Sequence, residues 1–269
     1  MSRSHQTTPT APVDPTGALV AAGESDLHSL EKEILGEFTR LAGGPHASIA
    51  VCGLAADEPA AAEDEVVEFF SSCGVEAERM RLDGAHAHLM RASALWFTGG
   101  DERRLVDALP DELVPVIRQR HLDGMVVGGA GAGAAALSGS LLVAMRNGPG
   151  HVDESVDIDD HGLGLIDDLI DPYVAEWGRM PRLLAALDAH PAVAFGIDEG
   201  TALVAQSGRL RVIGRGAVTV IDASTPNDAG HAEHDVAVLE HGQGYDIEHR
   251  KALSPTEARS VAPTDPPDH

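Results

Sequence analysis

The run Met125-Val-Val-Gly-Gly-Ala-Gly-Ala-Gly-Ala-Ala-Ala-Leu-Ser-Gly-Ser140 decides how the rest of the chain is read. Met125, Val126 and Val127 predict a buried strand, the alternating Gly and Ala after them a tight turn, and residues 134–137 the start of a helix. Strand, sharp turn and helix in that order form the elbow on which many α/β hydrolases mount a nucleophile, with flanking glycines that let neighbouring backbone approach closely. The tip of this elbow carries no Ser, Cys or Thr. Gly131 stands there, so the sequence supplies the frame of a catalytic turn without its reacting atom.

Working outward, apolar strands alternate with helical spacings. Residues 17–22 and 48–54 read as strands. Leu27, Leu30, Ile34, Phe38 and Leu41 recur at helical intervals up to Gly43-Gly44, and Val66, Phe69, Phe70 and Cys73 do so up to Gly74. A strand over 76–82, a short helix and a strand over 94–97 lead to Thr98-Gly-Gly-Asp101; helices over 102–109 and 111–121 then precede the elbow. Such alternation implies a parallel sheet covered on both faces, with ligands at the carboxyl ends of its strands. The Thr-Gly-Gly-Asp turn and the elbow belong there. Beyond the elbow, 146–161 reads as a Gly/Pro/Asp-rich loop, 162–166 as a strand and 181–189 as a helix. Short β runs over 193–197, 202–205, 209–213 and 218–221 predict antiparallel hairpins at a sheet edge, with a last strand over 235–239. Residues 1–16 and 251–269 read as flexible tails, leaving 17–250 as a single α/β domain.

Several of these stretches together resemble one family. Gly129 to Ala134 resembles the Gly-Thr-Ser-Ala-Gly-Ala elbow of cyanophycinase and its relatives among the aspartyl dipeptidase-like serine peptidases, with Ala130 for Thr and Gly131 for Ser. Phe97-Thr-Gly-Gly-Asp101 is similar to that family's Phe-Thr-Gly-Gly-Asp-Gln, with Glu102 for Gln. Asp171-Pro-Tyr-Val-Ala-Glu-Trp-Gly-Arg-Met-Pro-Arg-Leu183 resembles the run that supplies the family's catalytic His, and Gly196-Ile-Asp-Glu-Gly-Thr-Ala202 the one that supplies its acidic triad member. With Gly17-Ala-Leu-Val20 and Leu41-Ala-Gly-Gly44 at the front, the likeness runs in order from about residue 17 to about residue 240. It implies a three-layer α/β sandwich of the flavodoxin-like, class I glutamine amidotransferase-like kind, and a homodimer.

The resemblance also implies what is missing. Acyl transfer by a serine peptidase needs a hydroxyl, an imidazole to move its proton and a carboxylate to orient the imidazole. The corresponding positions are Gly131, Tyr173 and Glu199, of which Glu199 alone matches. A phenol with an ordinary pKa of about 10 is a poor proton acceptor near neutrality. Pro172 stands for the family's Gln and Trp177 for the first of its Arg residues, while Asp101, Asp171, Arg179 and Arg182 persist. Asp101, Glu102, Asp171, Arg179 and Arg182 are therefore the substrate-binding candidates. The two arginines either hold a ligand carboxylate in a bidentate pair or bridge to the many surface acids. Glycine at the tip relieves backbone strain that only a reactive residue justifies, so the elbow should survive, with backbone N–H groups near Ala132 still forming an anion pocket. Ser138 and Ser140, about two turns into the expected helix and about 10 Å from the tip, lie too far along to take over. The implied function is a catalytically inactive homologue that keeps the fold and binds an Asp/Arg-containing peptide or an active paralogue. The alternatives are an active hydrolase of β-aspartyl-arginine polymer or aspartyl dipeptides with a rearranged site, and a purely structural protein.

Composition narrows the partners. The 269 residues carry 43 acidic against 19 basic side chains, a formal charge of −24, which repels nucleic acid and anionic lipid and reads as the solvated acidic coat of a salt-adapted protein. No apolar run approaches the roughly 20 residues of a membrane span, and the first residues lack the apolar core of a signal peptide; the expectation is a cytoplasmic protein. Cys52 and Cys73 read as small core residues. His86-Ala-His88 and His231-Ala-Glu-His234 lack the helical His-Glu-x-x-His context of a zinc hydrolase and read as surface histidines. Neither a metal nor another cofactor is expected.

Overall fold

Leu19 and Ala21 enter one apolar cluster, and Ala18, Val20 and Ala22 enter another, the period of two required of a strand covered on both faces. That strand is central to the chain, whose computed structural model describes residues 16–23, 32–144, 156–225 and 233–259. The elements of the first half are β1 (Leu19–Ala22), α1 (Lys32–Leu41), β2 (Ser48–Cys52), α2 (Pro59–Ser72), β3 (Glu76–Arg79), α3 (Ala85–Leu89), β4 (Ala94–Phe97), α4 (Glu102–Ala108), α5 (Leu113–Leu122), β5 (Val126–Ala130) and α6 (Ala132–Ala135). The second half contributes β6 (Leu141–Ala144), β7 (Val156–Asp159), β8 (Leu169–Pro172), α7 (Met180–Ala189), β9 (Val193–Ile197), β10 (Thr201–Gln206), β11 (Arg209–Gly214) and β12 (Ala217–Asp222). It closes with β13 (Asp235–Glu240), β14 (Gly244–Asp246), β15 (Lys251–Leu253) and α8 (Pro255–Arg259).

A nine-stranded sheet runs in the order β15-β14-β11-β10-β1-β5-β4-β2-β3. Its β1, β5, β4, β2 and β3 are parallel, and β10, β11, β14 and β15 extend it antiparallel. One face is covered by Ile34, Leu35 and Phe38 of α1 with Val66 and Phe70 of α2. The other is covered by Leu89 of α3, Leu105 of α4, Leu113 and Ile117 of α5, and then by Phe195, Ile197, Val218 and Val220 of a second sheet. That second sheet has the order β13-β12-β9-β8, and α7 closes its outer side through Leu183, Ala186 and Leu187. The layered α/β architecture is the one the alternating pattern predicts.

Register places the functional loops. Ala22 lies beside Ala130 in the β1–β5 pair and Phe97 beside Gly129 in the β4–β5 pair, so the Thr98-to-Asp101 turn and the elbow leave neighbouring strands at the same carboxyl end.

Five expectations are corrected. The hairpins beyond residue 192 are divided: β10 and β11 join the main sheet, whereas β9, β12 and β13 join β8 in the second one. Residues 162–166 form no strand, Ile166 making an isolated bridge to Ser138. The expected loop over 146–161 contains β7, paired with an unforeseen β6, while 145–155 lie outside the described residues. The expected tail from 251 begins with β15 and α8, because β15 pairs with β14 and Leu253 and Ala258 are buried; 260–269, 1–15 and the positions of Leu27 and Leu30 lie outside the described residues. Cys73 is exposed, whereas Cys52 is buried, with its thiol pKa pushed up to about 12 by burial. Among the described residues no helix is long and apolar enough to cross a membrane.

Candidate active site

The elbow is built by close backbone approach. Gly131 has φ 51° and ψ −115°, outside every region favoured by residues with a Cβ. Its N–H donates to the Ala22 carbonyl at 2.9 Å, and its own carbonyl accepts from Ala134 and Ala135 at 2.9 and 3.0 Å. A Cβ on Gly133 would lie 2.5 Å from the Phe97 carbonyl oxygen, so α6 can press against the end of β4 only with glycine there. The expected sharp turn is present. The helix after it is a single turn, however, which corrects the expected positions of both serines. Ser138 is fully buried and its Oγ accepts from the Ile170 N–H at 3.0 Å, while Ser140 Oγ donates to Asp160 at 2.7 Å.

A small cleft of about 100 Å³ opens beside the elbow, below the roughly 300–1,000 Å³ of sites for drug-sized ligands. It brings together Gly100, Glu102, Ala132, Asp171, Tyr173, Arg179 and Arg182 with Pro172 and Trp177. Ala135 of α6, Leu142 of β6 and Ile170 of β8 complete its wall. The last two were missed with their strands; the only signals were the apolar pairs Leu141-Leu142 and Leu169-Ile170. Of the described residues lining this cleft, none is a serine, threonine, cysteine or histidine. Ala132 stands at the first position of α6, where a helix leaves its amides without intrahelical partners.

The persisting charges are engaged with one another. Asp171, 1% exposed, accepts from Arg179 Nη1 at 3.3 Å, from Arg182 Nε at 3.2 Å and from Arg182 Nη2. Arg179 also donates to the Pro172 carbonyl at 2.9 Å. The arginines therefore bridge to a buried carboxylate rather than to surface acids. Burial first, and then the charge of Arg182, press the Arg179 pKa below its ordinary value, with Asp171 and Glu102 acting against them. Asp101 serves the fold, its carboxylate capping α4 by accepting from the Arg104 N–H at 2.9 Å.

Tyr173 immediately follows β8 with φ 62°, an outlier for a bulky residue. Its N–H donates to the Ile197 carbonyl at 2.8 Å, and its ring stacks on Trp177 with centroids 4.5 Å apart and planes 7° apart. Glu199 is exposed on the turn between β9 and β10, and its N–H donates to the Glu176 carboxylate at 3.0 Å. Glu199 is not among the residues lining the cleft. Of the histidines noted in the sequence, His88 lies 3.9 Å from Glu78 and His234 3.2 Å from Asp188; His231 lies outside the described residues.

Comparison with known proteins agrees with the motifs. The model of peptidase family S51 matches residues 19–213. The cyanophycinase of Geminocystis herdmanii is 33% identical over 252 residues, which cover 84% of this chain and 92% of that protein. The cyanophycinase of Trichormus variabilis is 34% identical over 222 residues, covering 77% and 74%. A solved peptidase from an acI-B1 Actinobacterium superposes with a TM-score of 0.62 at 19% identity, covering 86% of this chain and 97% of that one. A solved putative peptidase E from Listeria monocytogenes gives 0.53 at 14% identity, covering 74% and 99%. At these identities the two structures speak to fold alone.

Proposed function

The chain belongs to peptidase family S51, and on that premise we propose that it is a non-hydrolytic member, which binds an aspartyl peptide, or a partner presenting one, without cleaving it. The single observation that carries this reading is Gly131 in the elbow conformation. The turn is held as a nucleophile would require, yet no oxygen projects from it. The rest of the cleft supports the same conclusion. Where the family resemblance expects an imidazole, Tyr173 is stacked against Trp177. With no serine, threonine, cysteine or histidine among the described residues lining the cleft, a scissile carbonyl placed over Ala132 lacks the attacking atom and the proton shuttle of serine-peptidase chemistry.

What remains suits ligand holding. Glu102 and the Asp171–Arg179–Arg182 cluster keep charged groups at the wall, and the apolar side of the cleft is formed by Leu142, Ile170 and Pro172. A chain of this kind can act as a homodimer or beside an active paralogue, holding peptide that the paralogue processes. The test is incubation of the wild type and of Glu199→Ala with cyanophycin and with β-Asp-Arg dipeptide, with products followed by chromatography and dipeptide binding by calorimetry. The expected result is measurable binding with release no faster than the buffer blank. Release by the wild type would overturn the reading, and release that persists in Glu199→Ala would assign it to other groups.

A further inference from the structure

Val236 and Val238 are 58% and 61% exposed, and they stand two residues apart on one face of β13. Their neighbours Ala237 and Leu239 face the core between the two sheets, so the strand buries one face and shows an apolar stripe on the other. β13 also ends the second sheet, with β12 on one side and no strand beyond it among the described residues. Exposed sheet edges ordinarily carry charge, proline or a bulge that discourages pairing. The edge strand β3 is of that kind, reading Glu76-Ala-Glu-Arg79. β13 is not. It keeps register with β12 over six consecutive residues without bulge or proline, and it sets valines where β3 sets charges.

Register shows which backbone groups this edge offers. The Asp198 N–H, at the end of β9, donates to the Ala217 carbonyl at 3.1 Å. Bonding direction alternates along an antiparallel strand, so Ala217, Thr219 and Ile221 of β12 turn to β9, while Val218, Val220 and Asp222 turn to their β13 partners Leu239, Ala237 and Asp235. The N–H and C=O groups of Val236 and Val238 therefore point out of the sheet. Those of Glu240 share that direction but are taken, its N–H donating to Gln243 Oε1 at 2.7 Å and its carbonyl accepting from the Gln243 N–H at 2.9 Å.

This edge complements itself. A second copy laid antiparallel about a two-fold axis at Ala237 sets each Val236 opposite a Val238, outward N–H groups against outward carbonyls and the valines together on one face. The same register brings His234, held 3.2 Å from Asp188, opposite Glu240, a ring donor against a carboxylate acceptor. Moving the axis to Val238 sets Glu240, whose backbone is already bonded, against Val236. Moving it to Val236 sets Val238 against His234 and loses the complementary pair. We infer that β13 is a self-association edge, through which two copies of this chain join their second sheets into one continuous sheet. β13 contributes no residue to the cleft, so the inference goes beyond peptide binding and names the face of a homodimer.

The test is sedimentation velocity of the whole chain from about 1 to about 200 μM, in about 0.5 M NaCl to screen the −24 charge of each copy. Amide hydrogen exchange over residues 235–240 is followed at the same concentrations. Wild type, Val238→Lys and Val238→Pro are compared, with Leu122→Lys as a control at another exposed apolar side chain. The wild type is expected to pass from monomer to dimer, with exchange at Val236 and Val238 slowing as concentration rises. Val238→Lys sets a charge against Val236 twice in the symmetric pair, and Val238→Pro removes the outward N–H while sparing the ladder to β12; each should weaken association about tenfold or more. Leu122→Lys should leave it unchanged. A wild type that stays monomeric throughout would overturn the second copy as occupant of this edge. A dimer that survives both Val238 variants, or one that leaves Val236 and Val238 exchanging at the monomer rate, would keep a homodimer and overturn this interface. None of these results bears on peptide binding in the cleft, which calorimetry reads separately.

Discussion

Replacing Gly131 by alanine adds one methyl group at the tip of the elbow, where φ is 51° and ψ −115°. A residue with a Cβ held in such a region costs about 1–3 kcal/mol. Restricting the unfolded chain offsets about 0.4–1 kcal/mol of that. The net expectation is a loss of about 1–2 kcal/mol, or roughly 2–8 °C in melting temperature for a chain of this size. Gly36→Ala is the control. Gly36 lies in α1 with nothing within 4 Å of the position its Cβ would take, so the same chemical change there should stabilise by about 0.5–1 kcal/mol. Urea unfolding followed by circular dichroism, at constant m value, reads both. If Gly131→Ala is as stable as the wild type while Gly36→Ala shows its gain, the tip is not strained, and glycine is not what keeps the elbow intact.

Three further outcomes are expected. Asp171→Asn removes the one buried anion shared by Arg179 and Arg182 and should cost about 3–5 kcal/mol in urea unfolding; a loss below about 1 kcal/mol would show that the cluster is not structural. Asp168 has its pKa raised to about 6, by burial first and by Asp167 and Asp222 against the opposing pull of Arg250. The folded state therefore binds this proton more tightly than the unfolded one, and its stabilising contribution, fully present below about pH 4, is lost as pH rises through 6. Asp168→Asn should thus raise the urea midpoint at pH 7.5 and leave it nearly unchanged at pH 4, with equal shifts at both pH values counting against the assignment. A thiol reagent should label Cys73 in the native protein and reach Cys52 only on unfolding, since the first is exposed and the second buried with its thiol held protonated; prompt labelling of both would contradict this packing.

Much of the fold was legible because apolar periodicity is strong where strands are buried on both faces. β1, β2, β4 and β5 are short apolar runs bounded by turn residues, and each forms where the pattern predicts. The second sheet was not legible as a separate layer. Val193 to Ile197 and Ala202 to Gln206 look alike locally, yet β9 and β10 enter different sheets, a choice made by long-range packing that no local pattern encodes. The strand β8 was hidden because its four residues end in Asp171 and Pro172, a charge and a proline that ordinarily argue against a buried strand. In the structure that charge is compensated by two arginines from the following segment. Of the positions that motif order singles out, the structure brings Tyr173, Arg179 and Arg182 to one cleft wall, but nothing in residue order placed Tyr173 flat against Trp177 or Leu142 in that wall.

The central claim concerns two missing groups, and restoring them tests it most directly. Wild type and the double variant Gly131→Ser, Tyr173→His would be compared for release of β-Asp-Arg from cyanophycin under identical conditions, with the single variants alongside. The prediction is release by the double variant alone, with the wild type at the blank rate. Cleavage by the wild type, with Gly131 and Tyr173 in place, would contradict the account.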